Sequence, residues 1–285
     1  MPTLAERRRI ARLVHRFGFG PRPGEFTTLL AEGFDKAAEK YLSVASQDAF
    51  ADNQDEPLVR DQGKRPAPNS PDVVAYATVG TQGSFDASSL SDFLVSRNDC
   101  ALFITERIWY RFISSMNPLT DTSLSSSFAS RDIAALINAV GRHSALENPE
   151  NSMVKSPIDW FISAARALSI TPSNFSNPNT IRNNLNLLGE LPFFPPNVGG
   201  WPADQAWLST SSAQYRIQFA TQLVKEADLS PISSLAPKAR IDGLADWLGI
   251  VEWSSRTKMA LTGAINDPAR LALLALCSPE YVVSA

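Results

Sequence analysis

Apolar residues in this chain recur every three or four positions and almost nowhere alternate one by one. That pattern excludes most folds, because a strand buries every second residue while a helix buries a stripe of period 3.6. Residues 4–17 show it clearly. Leu4, Ile10, Leu13, Val14 and Phe17 fall close to one stripe, with Arg7, Arg8, Arg9, Arg12 and Arg16 elsewhere. Gly18, Gly20 and Pro21 stop that helix, the glycines by allowing positive φ. Further helices are expected over 23–30, opened by Pro23 and ended by Gly33, and over 34–44, 92–116, 130–142, 157–170, 178–188, 211–227, 237–248, 255–265 and 268–277. Ser156 is the expected cap of the helix opened by Pro157, with Asp159 in its first turn. The expected class is all-α: an irregular multi-helix bundle with long loops and no central sheet.

The periodicity fails between residues 45 and 90, where Asp, Asn, Gln, Ser, Pro and Gly are dense. This stretch reads as a polar excursion or mobile linker with at most one short strand or helical turn. It divides the chain into N-terminal helices at 1–44, which join the main domain, the excursion at 45–90, and a main helical domain at 91–285. Asp48, Asp52, Asp55 and Glu56 lack the spacing of a cation-binding loop and read as a solvated acidic stretch.

Composition removes several function classes. A net charge of −3 and a pI near 5.5 argue against a broad phosphate-neutralising face, so no nucleic-acid partner is expected. The arginine-rich first helix is a local exception, but its apolar stripe is needed for folding, which weighs against membrane-surface binding. No stretch approaches the roughly 20 apolar residues of a membrane span. Only a short apolar run, 10–14, follows the N-terminal arginines, so no signal-peptide core is read and the expected location is cytoplasmic. Cys100 and Cys277 are too few for a disulfide framework and read as buried free thiols. Two histidines and two scattered cysteines cannot furnish a zinc site of usual spacing, so no metal is expected. No phosphate loop, dinucleotide fingerprint or hydrolase elbow occurs, and no cofactor is expected.

Two segments are too peculiar to be spacers. One is His15-Arg16-Phe17-Gly18-Phe19-Gly20-Pro21. The other runs Leu191-Pro192-Phe193-Phe194-Pro195-Pro196-Asn197-Val198-Gly199-Gly200-Trp201-Pro202 and is closed by Trp207. Prolines and glycines fix an unusual backbone path, while Phe193, Phe194, Trp201 and Trp207 supply large apolar anchors. The second segment is therefore expected to pack across the helices.

Read in order, four motifs resemble the bacterial domain-of-unknown-function family 1800. They are the opening HRFGFGP with Glu25, then Val154-Lys155-Ser156-Pro157, then Leu188-Gly189 through PPNVGGWP with Trp207-Leu208 and Arg216, and the closing Leu274-Ala275-Leu276-Cys277-Ser278-Pro279-Glu280-Tyr281. The resemblance implies a largely helical protein with no established biochemical role. It also implies a sulfatase-like protein as a partner, since relatives are often encoded beside one, and many relatives are exported. Where the family commonly has Trp followed by histidine-rich text, this chain reads Ile108-Trp109-Tyr110-Arg111-Phe112, so a histidine-dependent site is not expected there.

His15, Arg16 and Glu25 are the catalytic candidates, and Lys155, Asn197, Trp201, Trp207 and Arg216 the binding candidates. His15 reads either as a general base beside Arg16 or as a helix-end imidazole facing terminal carbonyls. Among Lys155, Arg166, Arg182 and Arg216, one is expected to donate to carbonyls of the Asn197 loop. Alternatively Arg16, Lys155 and Arg216 form an anion pocket if the two loops meet. The first functional reading is a helical interaction or scaffold module that binds a protein or polymer partner through its aromatic loop. The second is a hydrolase-like enzyme acting on a small anionic or sugar-like substrate between the HRFGFG and PPNVGGWP loops. It requires the candidate side chains to converge on one concave pocket.

Overall fold

The structure, a computed structural model, describes residues 2–43, 87–97, 99–128, 130–177 and 179–284. The expected polar excursion and its acidic residues lie outside the described residues, except for 87–90, which are helical.

Three helices open the chain: α1 (Leu4–Gly18), α2 (Glu25–Glu32) and α3 (Phe34–Leu42). Thr3 starts α1 by accepting the Glu6 amide at 3.1 Å, which satisfies one of the amides a helix start leaves orphaned. The α1 stripe of Ile10, Leu13 and Val14 is wholly buried against Phe26, Leu29, Ala37 and Ala38. Helix α2 begins at Glu25, behind Gly24 in the left-handed region, and not at Pro23 as expected.

The arginines of α1 face inward as well. Arg7 donates to the Ile250 and Val251 carbonyls and pairs with Asp246 at 2.6 Å. Arg8 donates to the Glu147 carbonyl and Arg9 to that of Arg142. Arg12 donates to Leu146 and Asn148, and Arg16 to Phe112, Ile113 and Asn151. A guanidinium has five donors and no acceptor, so it is suited to collecting carbonyls left unpaired where helices and turns end. The basic helix is an internal clamp.

Helices α4 (Ala87–Ser96) and α5 (Cys100–Phe112) replace the single helix expected over 92–116. Helix α5 ends where Arg16 takes the Phe112 and Ile113 carbonyls. With α6 (Ile133–Arg142) it builds a small core of Trp109, Ile113, Leu136, Val140 and Leu146. Then come α7 (Pro157–Ala167), α8 (Thr180–Leu188), α9 (Thr210–Glu226), α10 (Ser230–Ser233), α11 (Arg240–Leu248), α12 (Ser255–Thr262), α13 (Pro268–Leu276) and α14 (Pro279–Val282). Pro237 opens a separate 3-10 turn, Pro237–Ala239, ahead of α11. Ser156 caps α7 by accepting the Asp159 amide at 3.2 Å, as its sequence position requires. The largest core gathers Trp160, Phe219, Leu223, Trp247 and Leu271. Trp160 is fully buried, and its indole N–H donates to the Leu276 carbonyl at 2.9 Å.

Strand structure among the described residues is one pair, β1 (Met153–Val154) and β2 (Val283–Ser284). They run antiparallel, with Met153 opposite Ser284 and Val154 opposite Val283. The pair ties the chain's end to its middle, and the Lys155 amide extends it by donating to the Val282 carbonyl at 2.9 Å. The fold is all-α, with no central sheet among the described residues. No described helix is long and apolar enough to cross a membrane.

Candidate functional site

The first motif closes α1 with a tight turn. The amides of Phe19 and Gly20 both donate to the Val14 carbonyl, with φ of 56° at Phe19 and 84° at Gly20. Gly18 stays helical, so only one of the two glycines takes the positive φ expected of both. Gly18 is needed for a different reason: a Cβ there would collide with the Tyr41 ring. Gly20 meets both demands, since a Cβ would also lie 2.7 Å from Ser163 Oγ on α7.

The second motif follows α8. Gly189 ends that helix at φ 88°, and the Glu190 amide returns to the Leu185 carbonyl. The Glu190 carboxylate accepts the Ile158 amide at 2.9 Å and so occupies the N-terminus of α7. Burial raises the Glu190 pKa above its ordinary value, against the lowering effect of that amide and the Ser156 hydroxyl. Asn197 closes its own turn, its Oδ1 accepting the Gly199 amide and its carbonyl the Gly200 amide.

The loop does not pack across the helices along its whole length, as its aromatic content had suggested. Phe193 is 91 % exposed and Phe194 67 %, and Val198 also stands in solvent. Pro192, Pro195 and Pro196 hold this stretch by limiting φ, without burying its rings. Only the later part is anchored. Trp201 is half-buried and Trp207 buried. Arg216, also buried, donates to the Trp207 carbonyl at 3.0 Å and the Lys155 carbonyl at 3.3 Å, stitching the loop's end to the Val154-Lys155-Ser156-Pro157 motif. Asp204 accepts the Val154 amide at 3.0 Å and the Ser115 hydroxyl.

The two loops meet in a cavity of about 730 Å³. His15, Arg16 and Phe19 line it from the first motif, and Gly199, Trp201, Asp204 and Trp207 from the second. Lys155, Ser156 and Asp159 lie between them, with Tyr110, Arg111 and Phe112 contributed by α5. Glu25 is not among the lining residues. It is held by Lys40 at 2.6 Å and Tyr41 at 2.8 Å, and these hydrogen bonds with that of the Arg22 amide lower its pKa although burial alone would raise it. Asn197 lies in the loop beside lining residue Gly199, and Arg216 stands behind the wall.

Next to the cavity is a buried polar hub. His15 Nε2 lies 3.0 Å from the Leu248 carbonyl, so that nitrogen carries the proton and donates it to the end of α11. Burial, followed by the nearby Lys155 charge, lowers the His15 pKa well below its ordinary value, so the ring is neutral. Its Nδ1 faces Ser163 Oγ at 3.5 Å; that hydroxyl lies 2.7 Å from Tyr281 Oη and accepts from Lys155 Nζ at 3.4 Å. Lys155 Nζ also sits 3.7 Å from the centre of the Tyr281 ring. Burial pushes the Lys155 pKa down to about 7 against the opposing field of Asp159. Arg111 and Asp159 make no side-chain hydrogen bond or ion pair among the described residues, and both act through space on the Glu190 carboxylate, Asp159 raising its pKa and Arg111 lowering it.

Among the described residues no group of three or more His, Cys, Asp or Glu could hold a metal ion. His143 is spent structurally, its Nδ1 accepting the Ala145 amide and its ring standing edge-on to Trp109. Sequence reasoning did not single out Arg111, Glu190, Asp204, Ser163 or Tyr281. Ser163 was findable by spacing, one helical turn beyond Asp159, and Glu190 by its place after the helix-ending Gly189.

The model of the family described as Protein of unknown function (DUF1800) matches residues 65–283. The chain belongs to this family. The DUF1800 match takes in the second, third and closing motifs and most of the cavity wall, and begins after the HRFGFGP motif, so His15, Arg16 and Phe19 lie outside it. No curated protein and no solved structure matches the chain. The DUF1800 description carries no reaction, so function is read from the cleft.

Proposed function

We propose that the cleft binds a small anionic, sugar-like organic molecule. The observation that carries this reading is the convergence of the two peculiar loops and the Lys155 segment on one concavity of about 730 Å³. Ligand pockets for small molecules span roughly 300–1,000 Å³ and combine apolar walls with a few placed polar groups. Here Phe112, Trp201 and Trp207 supply ring faces. Arg111 supplies a guanidinium with no side-chain hydrogen bond or ion pair among the described residues, and Lys155 forms part of the wall, its amine in the adjoining hub. Two of the lining carboxylates are consumed internally, Glu190 by the start of α7 and Asp204 by Val154 and Ser115, which leaves Asp159 as the acid facing the ligand.

Titration calorimetry with glucuronate and with glucose tests this. Glucuronate binds the wild type, glucose binds at least about tenfold more weakly, and Arg111→Ala loses about tenfold for glucuronate, as expected for one lost charged hydrogen bond. Absence of glucuronate binding, or equal binding by the variant, contradicts the reading.

A second reading, a module that binds a protein or polymer partner, draws on the exposed Phe193 and Phe194. Large rings held in water by a proline-framed loop are an unusual surface feature. Affinity capture with the wild type and a Phe193→Ser, Phe194→Ser double variant tests it, and identical recovery by both removes it.

A further inference from the structure

We infer that Lys155 is the nucleophile of the cleft, and that its amine forms an imine with a small anionic aldehyde or keto acid bound there. The inference rests on the ligand-binding reading above and names the chemistry of that ligand.

Geometry carries it first. Lys155 is 6 % exposed, yet lines the cavity. Among the described residues no carboxylate lies within ion-pairing distance of its amine, whose partners are a long hydrogen bond to Ser163 and the Tyr281 ring. Lysine ammonium groups are strongly hydrated, and a buried one lacking a counter-ion gives up its proton readily. The groups around it do little to prevent this. Arg16 and neutral His15 approach from α1 and Asp159 and Ser163 from α7, while Tyr281 and Glu280 stand on α14, Arg216 on α9 and Glu252 in the loop after α11. The Tyr281 face favours the ammonium form and Asp159 does so at longer range, but burial outweighs Asp159 and leaves the pKa at about 7. An amine neutral near pH 7 is an activated nucleophile.

The step balances without an external oxidant or reductant. The Nζ lone pair attacks the carbonyl carbon, a C–N bond forms, and the carbonyl π electrons move to oxygen, which takes a proton. The resulting carbinolamine loses a nitrogen proton and its hydroxyl group as water. Amine plus carbonyl gives imine plus water. Arg111, which makes no side-chain hydrogen bond or ion pair among the described residues, holds the ligand's anionic group.

The test incubates the full chain near pH 7.5 with glyoxylate and cyanoborohydride, whose hydride converts any imine to a stable secondary amine, and maps the adducts by peptide mass. Acetaldehyde, which carries no charge, is the parallel probe. Lys155 is labelled by glyoxylate more than about tenfold faster than Lys225, Lys238 and Lys258, because an ordinary lysine is almost wholly protonated at that pH. The rate for Lys155 reaches half its maximum near pH 7. If Lys155 is unlabelled by both probes, or labelled no faster than the other lysines, the imine proposal is overturned. If acetaldehyde labels it as fast as glyoxylate, the nucleophile stands and the anionic ligand reading falls. Glucuronate binding without any Lys155 adduct has the opposite meaning.

Discussion

His15 illustrates what one buried residue settles. Its Nε2–H is committed to the last carbonyl of α11, and its Nδ1 faces a serine hydroxyl. The imidazole is thus a helix-end device, although the helix it serves is α11 and not its own. The folded protein refuses the proton that an unfolded chain accepts near pH 6.5, because burial lowers the His15 pKa. Between the folded and unfolded values the unfolded state binds more protons, so this residue's contribution to stability falls as pH drops below about 6.5. His15→Gln keeps an amide donor and removes the titration. Denaturant unfolding across pH is therefore expected to show the wild type losing stability relative to the variant below pH 6.5, by up to about 1.4 kcal/mol per pH unit. Parallel curves would refute the neutral, buried imidazole. Lys155 has the same sign in a higher window: its lowered pKa makes stability rise with pH between about 7 and 10.5.

At the scale of the element, periodicity located the helices because stripes of Leu, Ile, Val and Trp must face a core whatever the topology. Caps were legible where side-chain chemistry is local, as with Ser156 and Pro157. Breaks set by distant partners were not. The end of α5 depends on Arg16, far away in sequence, taking its carbonyls, and nothing near Phe112 announces it. The same holds for α1. Its arginines looked like a basic face because composition shows charge and not where each guanidinium goes, yet they take carbonyls at the ends of α5 and α6, in residues 146–151 and just after α11. In the PPNVGGWP loop aromatic content was read as burial, but proline rigidity holds Phe193 and Phe194 in solvent while Trp201 and Trp207 alone dock. Of the candidate site, His15, Arg16, Lys155, Trp201 and Trp207 were legible from unusual local text. Arg111, Ser163 and Tyr281 become visible only when three separate segments are folded together.

For the molecule as a whole, three apolar cores among the described residues meet around α1. One is its own with α2 and α3, one lies around Trp109 on α5 and α6, and the largest surrounds Trp160 and Phe219. The cleft opens where the C-terminus of α1, the end of α5 and the start of α7 come together, roofed by the later part of the aromatic loop. Such a junction leaves polar groups that no single core can bury, which is where a ligand's own polar groups are accommodated. Hydrogen–deuterium exchange of the full chain with and without glucuronate tests this most directly. Slowed exchange confined to residues 109–115, 153–159 and 199–207, with α12 unchanged, is the predicted result; no protection at these three segments, or protection centred elsewhere, would contradict a ligand site at the meeting of the loops.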